Sequence, residues 1–285
     1  MAILKQALST RNHDRDVMGM RYVYPVISRR AGGVSVGINL NPNNACNWHC
    51  AYCQVPNLTR GSAPDIDLHQ LHDELTVMLT SICQGDFMQK HVPQGVRKLC
   101  DVAISGNGEP TSCQNFDEVV NVIVDVLKTF DLIAKIPLRL ITNGSYACKP
   151  HVQRGLAMMA NYRGEAWVKV DAATKGGIAK INGIHASAEL LAIQVKAVAS
   201  QCPTWIQTCM VAWDKEPPTE QDTQAYLVFL QEQTYLKGLQ GVLLYGLARD
   251  PLQDESIHVS PLSEAWMIAF QHRIERVGLT VKLFI

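Results

Sequence analysis

Cys46, Cys50 and Cys53 stand in the run Cys46-Asn47-Trp48-His49-Cys50-Ala51-Tyr52-Cys53, just after an apolar, strand-like stretch at residues 34–40. Three thiolates on one tight loop can hold three corners of a cubic iron-sulfur cluster. They cannot complete it, because the closed arrangement of electron carriers takes four. One iron is then open to a ligand that is not protein. By analogy with zinc, an open coordination position separates a catalytic metal site from a structural one.

The other residues able to do chemistry follow later strand-like runs. Ser105-Gly106-Asn107-Gly108-Glu109-Pro110-Thr111 follows residues 99–104, and its glycines predict positive φ and close backbone approach to a ligand. Glu109 there suits an ammonium group. Thr142-Asn143-Gly144 is turn chemistry after residues 138–142. In Trp167-Val168-Lys169-Val170-Asp171, period-two alternation puts Trp167, Lys169 and Asp171 on one face and the valines on the other. If the valines pack on helices, Lys169 and Asp171 point inward, which is expensive without a bound polar ligand. Gln207 points inward by the same argument, and Leu247-Ala248-Arg249 brings a cation to the end of another strand.

These residues need a scaffold, and the chain alternates β-rich runs with longer helical ones. Strands are expected at residues 34–40, 99–104, 138–142, 167–170, 205–211 and 242–247, with an antiparallel partner at 22–27 and a last strand at 281–284. Helices are expected from Leu68 to Ile82, and over 115–130, 151–160, 188–200, 220–233 and 264–277. Asp67 with Gln70 predicts a capping box at the first of them. Six βα units imply parallel strands joined by right-handed crossovers, in a full or partial barrel or a doubly wound sheet. In either case function sits at the C-terminal strand ends, where all the residues above converge.

The chain has 285 residues, 47% hydrophobic and 18% charged, so a sizeable core is expected and disorder is not. Formal net charge is +0, which argues against a broad nucleic-acid footprint. A local basic excess remains in the first sixty residues, where Lys5, Arg11, Arg15, Arg21, Arg29, Arg30 and Arg60 face only Asp14 and Asp16. Ala2-Ile3-Leu4 before Lys5 is too short for a signal-peptide core, and no apolar run approaches a membrane span. A cytoplasmic protein is expected, with reduced cysteines, so the clustered ones read as metal ligands.

Cys-x3-Cys-x2-Cys after the first strand, with Tyr52 before the last cysteine, resembles the signature of radical S-adenosylmethionine enzymes. Asn107-Gly108-Glu109-Pro110 resembles their Gly-Gly-Glu-Pro segment, with Asn for the first glycine. The wider pattern is Ser28-Arg29-Arg30, Tyr52-Cys53-Gln54, Gly108-Glu109-Pro110-Thr111, the Asp171 segment and Arg249. It resembles the branch of wyosine-type tRNA-modifying synthetases and related proteins, over roughly residues 22–284.

The resemblance implies a partial (β/α)6 TIM-like barrel over residues 31–260, after a short N-terminal extension (1–30) and before a C-terminal helix and strand (261–285), all one domain. It implies a [4Fe-4S] cluster on Cys46, Cys50 and Cys53, and S-adenosylmethionine chelating the fourth iron. Glu109 and the backbone of Gly106, Asn107 and Gly108 would bind its amino group. Asn143, Lys169, Asp171 and Gln207 are candidates for carboxylate, ribose or substrate contacts. The implied chemistry is reductive cleavage to methionine and a 5′-deoxyadenosyl radical that abstracts a substrate hydrogen, with flavodoxin or ferredoxin as reductant.

No cysteine precedes Cys46 or follows Cys209, which removes the N-terminal set expected for a second cluster in wyosine synthetases. A small molecule, a tRNA base and a glycyl-radical partner all stay open as substrate, and an anionic one is favoured by the basic segment. Outside the enzyme class, an iron-sulfur electron carrier lacks its fourth ligand, and a zinc module lacks a partner set for tetrahedral closure. Trp48 is expected to pack against the barrel, Tyr52 to shield the adenine side, and Cys113, Cys148 and Cys209 to be inert packing, with His185 a candidate proton donor.

Overall fold

The computed structural model describes residue 8 and residues 19–28, 31–247 and 249–285. Lys5, Arg11, Arg15, Arg29, Arg30 and Ala248 lie outside the described residues, and so do most of the expected N-terminal extension and the Ser28-Arg29-Arg30 run as a whole.

The first half contains β1 (Val23–Ser28), β2 (Gly33–Ile38), β3 (Ala45–Cys46), β4 (Thr59–Arg60), α1 (Leu68–Cys83), α2 (Phe87–His91), β5 (Leu99–Ile104), α3 (Phe116–Thr129), β6 (Leu138–Thr142) and α4 (Pro150–Ala160). The second contains β7 (Glu165–Lys169), α5 (Lys175–Asn182), α6 (Ala188–Ala199), β8 (Thr204–Cys209), β9 (Ala212–Trp213), α7 (Glu220–Gln233), β10 (Leu239–Tyr245), β11 (Val259–Ser260), α8 (Glu264–Arg276) and β12 (Val281–Phe284). Eight strands form one curled sheet in the order β1-β2-β5-β6-β7-β8-β10-β12. β1 is antiparallel to β2 and the other neighbours are parallel. Six helix-bearing crossovers join seven parallel strands in sequence order, which makes this a partial (β/α) barrel with β1 on one edge and β12 on the other.

The helices cover the outer face. Val36, Ile38, Val102, Ile104, Leu138, Leu140, Val168, Ile206 and Val242 are almost fully buried there, in one core with the helix side chains. α1 shows the local logic. Asp67 caps it by accepting from the Gln70 amide at 3.0 Å, and Leu71, Leu75, Met78, Leu79 and Ile82 face the sheet.

The reciprocal half of the expected capping box does not form. The Tyr22 hydroxyl accepts from the Asp67 amide, and the Gln70 side chain donates instead to Glu74. Glu74 in turn accepts from the backbone amides of Arg21, Tyr22 and Val23, which pins the start of β1 against α1. Among the described residues no helix is long and apolar enough to cross a membrane.

Candidate active site

The cysteine loop leaves β2 at its C-terminal end and is clamped on three sides. At its neck, Ala45 and Cys46 pair with Thr59 and Arg60 in a two-residue parallel ladder. Beneath it, Asn39 Oδ1 accepts from the amides of Asn41 and Asn107, joining the loop to the Gly106–Gly108 turn. On its flank stands α5, a helix absent from the sequence expectations. The amides of His49 and Ala51 donate to the carbonyls of Asn182 and Ile181, and Arg60 donates to the carbonyls of Asn47 and Gly183. Gly183 ends α5 in the left-handed region (φ +62°), and a Cβ there would sit 2.4 Å from the His49 carbonyl oxygen.

Trp48 is buried and donates its indole N–H to Ser145 at 3.0 Å, in line with the packing role expected for it. The segment after β10 closes the far side of the loop. Leu252 N and Gln253 Nε2 donate to the Cys53 carbonyl, and His49 Nε2 lies 3.4 Å from Glu255.

All three cysteines line one cavity of about 420 Å³ inside the strand ends. The Cys46 sulfur accepts from the Trp48 amide and the Cys50 sulfur from Asn182 Nδ2. Burial pushes both thiols up to about 12; Glu109 adds to the rise at Cys46, and Asp171 adds to it at Cys50 while Lys169 opposes it. Binding a metal as thiolates therefore releases protons.

Among the described residues no three His, Cys, Asp or Glu side chains are close enough to hold a single metal ion. A cubane places each thiolate on a different iron, so its ligands stand wider apart than those of one ion. The donor set, three thiols from one loop opening on one cavity, fits that cluster, and a carboxylate, Glu109, lines the same cavity.

Glu109 is buried and fixed by four donors. Oε1 accepts from the Thr111 amide, the Thr111 hydroxyl and, at 2.6 Å, the Thr142 hydroxyl, while Oε2 accepts from the Asn143 amide at 2.6 Å. Each carboxylate oxygen has about two lone-pair directions; three donors crowd Oε1 while Oε2 takes only the Asn143 amide, so Oε2 retains capacity for one more donor. Burial raises the Glu109 pKa against the opposing pull of these hydrogen bonds. A cationic donor would relieve that cost.

The flanking turn differs from expectation. Neither Gly106, Asn107 nor Gly108 adopts positive φ. The glycines are required because a Cβ at Gly106 would meet Asn39 Oδ1 at 2.2 Å and one at Gly108 would meet the Ala45 carbonyl oxygen at 1.9 Å. Their smallness seats the cysteine loop, and both still line the cavity.

Asn143 lines the cavity and bridges two strand ends, with Nδ2 donating to Asn47 Oδ1 at 2.8 Å. Lys169 also lines it; Nζ donates to the hydroxyls of Tyr52 at 3.3 Å and Tyr245 at 3.4 Å and lies 5.1 Å from the Tyr52 ring centroid. Burial alone would lower its pKa, but Tyr245, Asp171, Cys50 and Cys209 prevail and raise it.

Asp171 is buried but is not among the residues lining the cavity. It accepts from the Tyr52 hydroxyl at 2.5 Å, from Asn182 Nδ2 at 2.7 Å and from the Cys209 amide at 2.7 Å. Lys169 at the end of β7 and Asp171 two residues beyond it thus have partners supplied by the chain itself. Asn107 is not among the lining residues either; it ties the turn to Asn44.

Gln207, Cys209 and Arg249 line the cavity, whereas Cys113 and Cys148 do not, and His185 is exposed. Tyr245 and Asn182 complete the site and carry no motif; only their place at strand and helix ends could have pointed to them.

No family model matches the sequence. A curated relative, GTPase Obg of Brachyspira hyodysenteriae (strain ATCC 49526 / WA1), is 27% identical over 135 residues, 46% of this chain; the chain spans 17% of that relative's length. The chain has no GxxxxGK[ST] phosphate loop. Among solved structures, a radical SAM methyltransferase from Sphaerobacter thermophilus has TM-score 0.62 at 12% identity, covering 92% of this chain and 68% of that one. TYW1 with a lysine-pyruvate adduct bound has TM-score 0.54 at 13% identity, covering 85% and 73%. Streptococcus suis SuiB bound to S-adenosylmethionine has TM-score 0.51 at 12% identity, covering 87% and 45%. At these identities what is shared is the fold, here that of a radical SAM methyltransferase, of TYW1 and of SuiB.

Proposed function

We propose that this chain is a radical S-adenosylmethionine enzyme. One observation carries the reading: three thiols of the loop after β2 open on the same cavity as Glu109, whose Oε2 has room for one more donor. Cys46, Cys50 and Cys53 would hold a [4Fe-4S] cluster, and Glu109 would take the ammonium group of S-adenosylmethionine. When bound, the cluster and S-adenosylmethionine supply an electron and a carbon-centred radical able to abstract hydrogen from a substrate.

The chain's own residues do the rest. The β3–β4 neck, α5 and the segment after β10 hold the loop and limit water access to it. Thr111, Thr142 and the Asn143 amide orient Glu109. Lys169, which lines the cavity, offers a positively charged donor to a carboxylate. A low-potential protein such as flavodoxin or ferredoxin is the reductant this chemistry needs.

The test is anaerobic reconstitution with iron and sulfide, then dithionite and S-adenosylmethionine. Release of 5′-deoxyadenosine and methionine is expected. Absence of both from fully loaded protein overturns the reading.

A further inference from the structure

Below the rim, strand register layers the concave face of the sheet. Ile141 lies beside Trp167 and Trp167 beside Trp205; in the next layer toward the rim Lys169 lies beside Gln207, and Gln207 beside Leu243. Trp167, Trp205 and Leu243, with Ile141 and Phe284 packed on them, form an apolar cluster separate from the main core. Ile141 and Trp167 of this cluster line the cavity, Tyr24 lines it as well, and Tyr245 and Phe284, paired at the ends of their strands, line it nearer the rim.

Its floor is an ion cluster whose members satisfy one another. Arg139 donates to Asp101 and, at 2.6 Å, to Glu165; the Ser35 hydroxyl donates to Asp101, and the Trp167 indole to Glu165.

Gln207 differs from these. It is 1% exposed and lines the cavity, and its Oε1 has no hydrogen-bond partner among the described residues. A buried acceptor left unpaired is costly, and a carboxamide turned into an aromatic-lined chamber is a recognition device. A carboxamide carries one donor and one acceptor side by side, so its complement is another amide-like edge, as when glutamine reads a nucleobase. Lys169 Nζ in the same layer adds a donor for a carbonyl oxygen. Aromatic walls favour a flat ring.

We infer that this inner chamber binds a planar heterocycle with a lactam edge, an N–H beside a C=O as in oxopurines and oxopyrimidines. The N–H meets Gln207 Oε1, the carbonyl meets Gln207 Nε2 or Lys169, and the ring lies against Trp167. The inference rests on the proposed function in one respect, that this ring is the substrate presented to the radical. A peptide also carries an amide edge but has no flat ring to fill the aromatic walls.

The test is calorimetric titration of anaerobically reconstituted protein saturated with S-adenosylmethionine and kept unreduced. The probes are inosine, purine riboside (which lacks both the N–H and the C=O) and N-acetylglycinamide. Inosine is expected to bind at least about tenfold more tightly than purine riboside. Gln207→Leu is expected to erase that difference while S-adenosylmethionine affinity stays within about twofold. Equal binding of the two nucleosides, no binding of inosine, tighter binding of N-acetylglycinamide, or loss of S-adenosylmethionine from Gln207→Leu each overturns the ring site. Wild-type protein that binds inosine but no S-adenosylmethionine overturns the radical reading and keeps the ring site; the reverse result overturns the ring site alone.

Discussion

The Tyr52 hydroxyl donates to Asp171 Oδ2 at 2.5 Å, tying the last turn of the cysteine loop to the end of β7. Asp171 also accepts from Asn182 on α5 and from the Cys209 amide at the end of β8, so one buried carboxylate fixes four elements. Asp171→Ala removes the carboxylate acceptor from three buried donors and is expected to cost about 3 kcal/mol, read as a lower urea midpoint. The variant should also retain less iron after reconstitution. A midpoint and iron content equal to wild type would show that the carboxylate does not organise the loop.

Glu109 gives a pH dependence with a definite sign. Its pKa is raised above 4.5 by burial in the ligand-free protein. On its own, such a group contributes stability that is fully present below the unfolded value and is lost as pH rises through the folded one. An ammonium ligand needs the carboxylate, so S-adenosylmethionine affinity should be full above the raised pKa and fall about tenfold per pH unit below it. Titrations in buffers of different ionisation heat should show proton release at acidic pH. Glu109→Gln should bind roughly thirtyfold more weakly with that pH dependence gone, consistent with loss of a charge-assisted hydrogen bond. An unchanged pH profile in the variant assigns the effect to another group.

Gly108→Ala directs a methyl group at the Ala45 carbonyl, a backbone atom next to Cys46, whereas a Cβ at Gly95 meets nothing within 4 Å. The first variant should lose at least about 3 kcal/mol or fail to hold iron; Gly95→Ala should match wild type within about 0.5 kcal/mol. Equal behaviour of the two would remove the packing account of the Gly106–Gly108 turn.

Glu74 accepts from three consecutive backbone amides at the start of β1. Glu74→Ala should cost about 2 kcal/mol in denaturant unfolding. Iron content after reconstitution should not change, because the Glu74 carboxylate bonds to the amides of residues 21–23 and to Gln70 and, among the described residues, to none of the cysteine loop. Loss of iron with unchanged stability would contradict it.

The sequence was most legible where a single period governs a segment. Leu99–Ile104, Leu138–Thr142, Glu220–Gln233 and Val281–Phe284 form where expected, because alternation or three-and-four spacing there reflects one face against one core. α5 was not legible: Lys175–Asn182 is short, contains Gly176 and Gly177, and buries only Ile178 and Asn182, so tertiary contacts with the cysteine loop decide it. The inward direction of Lys169 and Gln207 followed from strand alternation. The partners of Lys169 and Asp171 did not, because Tyr52, Tyr245 and Asn182 reach them from elements distant in sequence. The glycines at positions 106 and 108 were visible as a constraint, but which neighbour imposes it depends on how the loop after β2 folds back.

The central claim is that the protein leaves one iron of its cluster open and that S-adenosylmethionine takes it. The most direct measurement is electron paramagnetic resonance of the reconstituted, dithionite-reduced protein before and after S-adenosylmethionine is added. The account predicts a reduced [4Fe-4S] signal whose shape and g-values change on addition, and no such signal in Cys50→Ala. A signal from fully loaded protein that saturating S-adenosylmethionine leaves unchanged would contradict it.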